Sequence, residues 1–129
     1  PHALDPLGHV RVGAALVVGA HPHVPQGVER VGNGVVAHSL GDGVFGGAVR
    51  RKEDSLLMRA AFGPSGLSAV EFFALEASNE GTGFAPRLRT GEEARRSLEC
   101  VIRLSGALGC LLEPGASAEG VPCARLDLK

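Results

Sequence analysis

The stretch that decides the fold is Leu16-Val17-Val18-Gly19-Ala20-His21-Pro22-His23-Val24-Pro25-Gln26-Gly27-Val28-Glu29. Its first three residues, with Ala14 and Ala15 before them, make a short apolar run closed by Gly19, which reads as a buried strand. Two prolines then rule out a regular element up to Gln26. Pro22 fixes its own φ and biases His21 away from the helical region. An extended His21-Pro22-His23 would point both imidazoles to the same side, since residues i and i+2 share a face. The pair is thus expected on a loop at the C-terminal end of a core strand, where α/β folds hold their ligands. Two histidines fall short of the three or four protein ligands of a zinc site, so spacing alone leaves open an ion or simple hydrogen bonding.

Working outward, Val28 to Val31 and Val35 to Ser39 are short β-rich pieces joined by Gly32-Asn33-Gly34, a strong hairpin signal. Leu40 to Gly47 holds four glycines and reads as loop, and Arg50 to Asp54 is a mixed-charge connection. Ser55 to Phe62 and Leu67 to Ala77 form a second hairpin across the turn Gly63-Pro64-Ser65-Gly66. Thr90-Gly91-Glu92-Glu93 has the form of a capping box. A helix should start there, with Ala94, Leu98, Val101, Ile102 and Leu108 inward and Glu92 paired to Arg96 outside. Asp5 to Gly13 is weakly helical. Beyond Leu112 the chain is small, polar and without periodicity, so residues 113–129 read as a flexible tail after a domain over 1–112. The order helix, strand, two hairpins and C-terminal helix is that of a mixed α/β fold.

Composition narrows the function. The 129 residues include 19 Gly and 8 Pro, a surplus that implies many turns, while 44% hydrophobic and 21% charged residues suit one modest core. That core must be aliphatic, because the aromatics are five Phe with no Trp or Tyr. Thirteen basic against fourteen acidic residues leave a net charge of −1, without the footprint of a nucleic-acid binder or a polybasic membrane adaptor. No apolar run approaches the roughly 20 residues of a membrane span. Position 1 is Pro rather than Met, as expected of a processed, cut or incompletely captured product. Cys100, Cys110 and Cys123 lack a C-x-x-C pair and read as packing thiols.

The remaining candidates are weaker. Gly41-Asp42-Gly43-Val44-Phe45-Gly46 and Gly32-Asn33-Gly34-Val35-Val36-Ala37 fit glycine-rich nucleotide loops literally, but neither has a strand before and a helix after. A short phosphate-binding module at Gly41 to Gly47 is the third-ranked reading. His38 and Asp42 would approach the histidine pair if the first hairpin folds back, whereas His2 and His9 read as surface or helix residues. No nucleophile motif, Walker loop or H-E-x-x-H occurs, so covalent catalysis has no visible agent.

With these residues in view, the opening stretch resembles the G-x-H-P-H-V-x-Q-G-x-E segment of the CapA family. These are poly-γ-glutamate capsule biosynthesis proteins within the calcineurin-like metallophosphoesterase superfamily. Ser39-Leu40-Gly41-Asp42-Gly43-Val44-Phe45 is similar to the family's S-L-G-N-F-V-F, with Asp42 and Gly43 standing for its usual Asn and Phe. The Ser55 to Arg59 strand, the Gly66-Leu67 turn and the Thr90 to Ala94 helix start follow the family's C-terminal layout. The resemblance spans about residues 3 to 109; the family's upstream Asp, Asn-Glu, Asn-Asn-His and His motifs have no counterpart.

The resemblance implies an α/β fold, the C-terminal part of a metallophosphoesterase-like αββα sandwich, inactive alone. It implies metal ligation by His21 and His23, with Gln26, Asp42 and His38 as possible supporting groups or ligands. The cofactors implied are divalent ions of Mn, Fe or Zn type, two in a complete site. The partners implied are an N-terminal half or other capsule-synthesis proteins, at the cell surface or membrane. The alternative is a non-enzymatic assembly or binding component with a vestigial site.

Overall fold

The first apolar run meets its hairpin as the pattern requires. In the computed structural model, which describes residues 13–43, 54–83 and 85–128, β1 (Leu16–Val18) runs parallel to β3 (Gly34–Ala37), and β2 (Val28–Val31) pairs antiparallel with β3 on the far side. The loop of that hairpin is Gly32-Asn33, because Val31 already faces Gly34 across the ladder. Gly32 takes φ 58°, the positive value that suits the first position of a two-residue hairpin loop. β3, the middle strand, is buried along its whole length. β1 is less covered than expected: it is half-buried with Val18 46% exposed, since β3 flanks it on one side only among the described residues.

The second hairpin is longer. β4 (Asp54–Gly63) and β5 (Gly66–Glu76) pair antiparallel around Pro64-Ser65, with a register shift between Ala61 and Phe62. A single helical turn, α1 (Asn79–Thr82), leads to β6 (Arg87–Leu88), which pairs with the end of β5. The long helix α2 (Gly91–Ala107) follows.

Two expectations about this helix fail in detail. Thr90 is extended, at φ −129° and ψ 171°, and its side chain makes no capping hydrogen bond. Gly91 sits in the left-handed region at φ 57°, which breaks the regular path from Thr90 to Glu93 that a reciprocal capping box needs. Glu93 instead pairs with Arg89 at 3.4 Å, and Glu92 with Arg95 at 2.7 Å rather than with Arg96.

The larger correction concerns residues 113–129. Instead of a flexible tail, β7 (Glu113–Ala116) and β8 (Pro122–Asp127) make a third hairpin, so α2 is not the last element. β8 lies inside the second sheet, whose order is β4-β5-β8-β7. Cys123, Ala124 and Leu126 are buried there. The connecting turn is tied by the Ser117 N–H to the Val121 carbonyl and the Gly120 N–H to the Ser117 carbonyl, both at 2.9 Å. The expected helix over Asp5 to Gly13 and the charge run Arg50 to Glu53 lie outside the described residues, apart from Gly13.

A charged residue on interior strand β5 needs partners. Glu71 is buried and accepts from Arg59 Nε at 2.7 Å and Arg125 Nη1 at 3.2 Å, its direct neighbours on β4 and β8. Arg59 also stacks over the Phe73 ring at 5.4 Å. The row satisfies the buried carboxylate from both flanks and caps an aromatic face that would otherwise meet water. At its end Glu119 is held down to about 2, first by its hydrogen bond with the Ser117 hydroxyl, then by its own amide and by Arg59.

One core joins the two sheets. Val28, Val35 and Ala37 of the first sheet cluster with Val70, Phe72, Ala74, Ala124 and Leu126 of the second and with Ala94, Leu98 and Val101 of α2. The helix is also fastened by polar contacts. Ser105 Oγ accepts the buried Val28 N–H at 2.8 Å and donates to the Val101 carbonyl at 2.7 Å. Ser105→Ala leaves that amide without its acceptor and is expected to cost about 2 kcal/mol. Urea unfolding checks this: the midpoint should fall with an unchanged slope.

The observed fold is therefore mixed α/β and mostly strands, with two sheets and one long helix. Among the described residues no helix is long and apolar enough to cross a membrane.

Candidate functional site

The loop after β1 is fastened at both ends to the chain that follows β3. The Gly19 N–H donates to the Ala37 carbonyl at 2.8 Å, and the Leu40 N–H to the Gly19 carbonyl at 3.0 Å. On the return, the Gln26 N–H donates to the Ser39 carbonyl at 3.0 Å and the His38 N–H to the Gly27 carbonyl at 3.2 Å. Residues 20–25 thus form a short arch over residues 37–40, at the carboxyl ends of the parallel strands β1 and β3.

Within the arch the extended His21-Pro22-His23 expected from the prolines gives way to a turn. The His23 N–H donates to the Ala20 carbonyl at 3.0 Å, and His23 takes φ 61°. It is the one non-glycine in the left-handed region among the described residues, a conformation that costs energy and persists only where the surroundings enforce it. The two rings still end up side by side, with centroids 5.7 Å apart and planes tilted by 51°. Juxtaposition comes from the turn and not from strand alternation.

What holds His23 comes from the glycine-bearing loop that follows β3. His23 Nδ1 lies 2.5 Å from Asp42 Oδ1, and both side chains are partly buried. Asp42 is itself held: buried Ser55 Oγ, at the start of β4, accepts the N–H groups of Asp42 and Gly43 at 3.1 and 3.2 Å. Buried Ser39 Oγ accepts the Gly41 N–H at 3.2 Å. Gly41 and Gly43 take φ 82° and 59°, which lets the loop fold tightly around these hydroxyls. The sequence reading gave neither serine a site role, since nothing in a lone Ser just after one strand or at the start of the next marks it as a loop anchor.

The other candidates part from this pair. His38 Nε2 is 3.1 Å from Glu29 Oε2, and both side chains are one quarter exposed. Glu29 was not picked out from the sequence, although the hairpin register explains it. Glu29 faces Val36, so His38 is its diagonal neighbour on the same face. Gln26 joins through its backbone amide. Among the described residues no three His, Cys, Asp or Glu side chains gather in a way that could hold a metal ion. The glycine pattern at Gly32 runs into strand β3 and not into a helix, so it lacks the amide cradle of a nucleotide loop. Of the pattern at Gly41, residues up to Gly43 are described.

The arrangement offers two neighbouring imidazoles, one oriented by a carboxylate, on a doubly tied loop. Residues 8–47 match the family model of the bacterial capsule synthesis protein PGA_cap. The matched stretch takes in β1, the arch with its histidine pair, the first hairpin and Asp42. It covers less than a third of the chain; the second sheet and α2 lie outside it. No curated protein matches the chain.

Proposed function

We propose that the chain is part of a CapA-like protein of bacterial capsule synthesis, of metallophosphoesterase-like fold, in which His21 and His23 contribute to a divalent metal site. The observation that carries this reading is the histidine pair, held side by side inside the segment that matches PGA_cap. Imidazole suits Mn, Fe or Zn type ions, and neighbouring ring nitrogens can serve one ion or two adjacent ones. The fit is partial, because two imidazoles are fewer than a complete ligand set and Asp42 is spent on His23 instead of standing beside it as a third donor. A bound ion would act as a Lewis acid on a phosphoryl oxygen or on water. The chain's own residues do the rest: the arch presents the imidazoles, Asp42 orients one of them, and Ser39 and Ser55 hold Asp42 in place. On this reading the partial sandwich runs through β8 rather than stopping at Leu112, and alone it is inactive.

A second reading, a non-enzymatic assembly component working with other capsule-synthesis proteins, draws on the missing third ligand among the described residues and on the carboxylate at Asp42. Thermal unfolding with Mn²⁺ or Zn²⁺ separates the two. An ion that binds only the folded chain stabilises it by about 2.7 kcal/mol at a hundred times its dissociation constant. The first reading expects a rise in Tm that the His21→Ala/His23→Ala double variant loses. A wild-type chain that unfolds cooperatively with no shift overturns the metal site and favours the assembly component.

A further inference from the structure

We propose a second binding site at the end of the molecule away from the histidine arch: a cleft that takes a small organic anion, with an apolar body in the cleft and one carboxylate on Arg30. The cleft has a volume of about 590 Å³, within the range of small-molecule sites. It lies between the turns of the first two hairpins, with Gly32-Asn33 on one side and Ser65-Gly66 on the other, at the amino ends of β1 and β3. The arch sits at the carboxyl ends of the same strands, so roughly 13 Å of extended chain separates Ala15 from Gly19. The site therefore stands apart from the histidine pair and from either reading of it.

The floor is apolar and its walls are tied down. Leu67 belongs to the core, and Ala15 and Leu128 pack against it. The Ala15 carbonyl accepts the Val35 N–H at 3.0 Å and the Leu128 N–H donates to the Ser68 carbonyl at 2.8 Å, which fixes one wall to each sheet. Arg30 carries the one charge among the residues that line the cleft. Its situation differs from that of Arg59, Arg87, Arg95 and Arg125, each of which donates to a carboxylate at 2.7 or 2.8 Å. Among the described residues Arg30 meets no carboxylate; its Nε donates to the Gly32 carbonyl at 3.4 Å, which leaves both Nη groups for a ligand. A guanidinium fork matches a carboxylate with two parallel hydrogen bonds. Asn33 and Ser65, one exposed on each turn, add an amide and a hydroxyl at the rim. A cation without an acidic neighbour, over an apolar floor, selects an amphiphilic anion against both a neutral apolar molecule and a small hydrated ion.

The test is a proton–nitrogen-15 NMR titration of the full chain with three probes. Hexanoate has tail and charge, hexanol keeps the tail alone, and inorganic phosphate keeps charge alone. Hexanoate should shift the Gly32, Asn33, Gly34 and Gly66 amides along saturable curves, and bind at least about tenfold tighter than either of the others. Arg30→Gln should weaken hexanoate by about tenfold and leave hexanol unchanged; the side chain is exposed, so the variant should melt as the wild type does. Arg103→Gln removes another exposed arginine that meets no carboxylate among the described residues, on α2, and should bind hexanoate like the wild type. The site is overturned by silence at the four amides, by hexanol or phosphate binding as tightly as hexanoate, or by hexanoate binding that ignores Arg30→Gln. Should Arg30→Gln fail to fold, the three probes on the wild type decide by themselves.

Discussion

Cutting the chain after Leu112 should abolish its cooperative unfolding transition. The removed segment carries β8, which lies between β5 and β7 and pairs with Ala69 to Phe72 at the middle of β5. Ala124 is fully buried, Cys123 and Leu126 nearly so, and all three are lost along with the ladder hydrogen bonds. Each fully buried aliphatic side chain of Leu size contributes roughly 1.5–3 kcal/mol. The cut also uncovers Val70 and Phe72 of β5 and takes Arg125 from the buried Glu71 carboxylate. Leaving the buried carboxylate with Arg59 as its one remaining cation of the two, and opening the edge of a central strand, come on top of the lost burial. The sum is comparable to the 5–15 kcal/mol of stability that a domain has in total. Thermal circular dichroism and the dispersion of the proton NMR spectrum report the result. A truncated chain that still melts cooperatively, at a Tm near that of the whole, restores residues 113–129 to the status of a tail.

That segment shows where sequence pattern loses its hold. The two earlier hairpins are legible because apolar runs of four to eleven residues stop at glycine, asparagine or proline, where the turn needs special φ values. β7 offers Glu113-Pro114-Gly115-Ala116, of low strand propensity, and is exposed along its length as an edge strand. β8 alternates, but its outward positions are Arg125 and Asp127, whose charges hide a six-residue strand inside a polar stretch. Its place is set by Glu71, 54 residues away, and by the apolar surface of β5. Local pattern does not contain such information.

The capping motif at Thr90 fails for a related reason: the helix begins where expected, but Gly91 turns the backbone so that the motif's bonds cannot form. In the site, the histidine pair was legible as a unit and its turn was not, because His23 adopts a left-handed conformation that is uncommon for any non-glycine residue. Asp42 was reachable as a residue of the glycine-rich loop that follows the first hairpin and approaches the pair if that hairpin folds back. That Ser55 anchors it depends on the packing of two sheets, which the sequence order leaves open.

Gly19→Ala should destabilise the protein by about 3 kcal/mol, at the upper end of what overpacking costs, and disturb His23 as well. Gly19 follows β1 directly, and its φ lies outside the left-handed region, so glycine is not required there for a positive φ. A Cβ at this position would lie 2.1 Å from the His38 carbonyl oxygen and 3.0 Å from its carbon. Both are backbone atoms on the strand exit that β1 runs beside, so no side-chain rotation relieves the contact. The chain must separate there, and the bonds that stretch are those from Gly19 to the Ala37 carbonyl and from Leu40 to the Gly19 carbonyl. These are also the bonds that carry the histidine arch and lead into the Asp42 loop. Gly63→Ala is the matched control, since a Cβ there meets nothing within 4 Å and the backbone is not left-handed; its effect should stay within about 0.5 kcal/mol. Urea unfolding of the two variants gives the energies, and the NMR spectrum of the His23 ring shows whether the imidazole has moved from Asp42. Equal stabilities would mean that β1 and the strand exit at His38 do not approach as closely as described. A loss of stability with an unchanged His23 spectrum would mean that the arch is held to Asp42 independently of its anchor at Gly19.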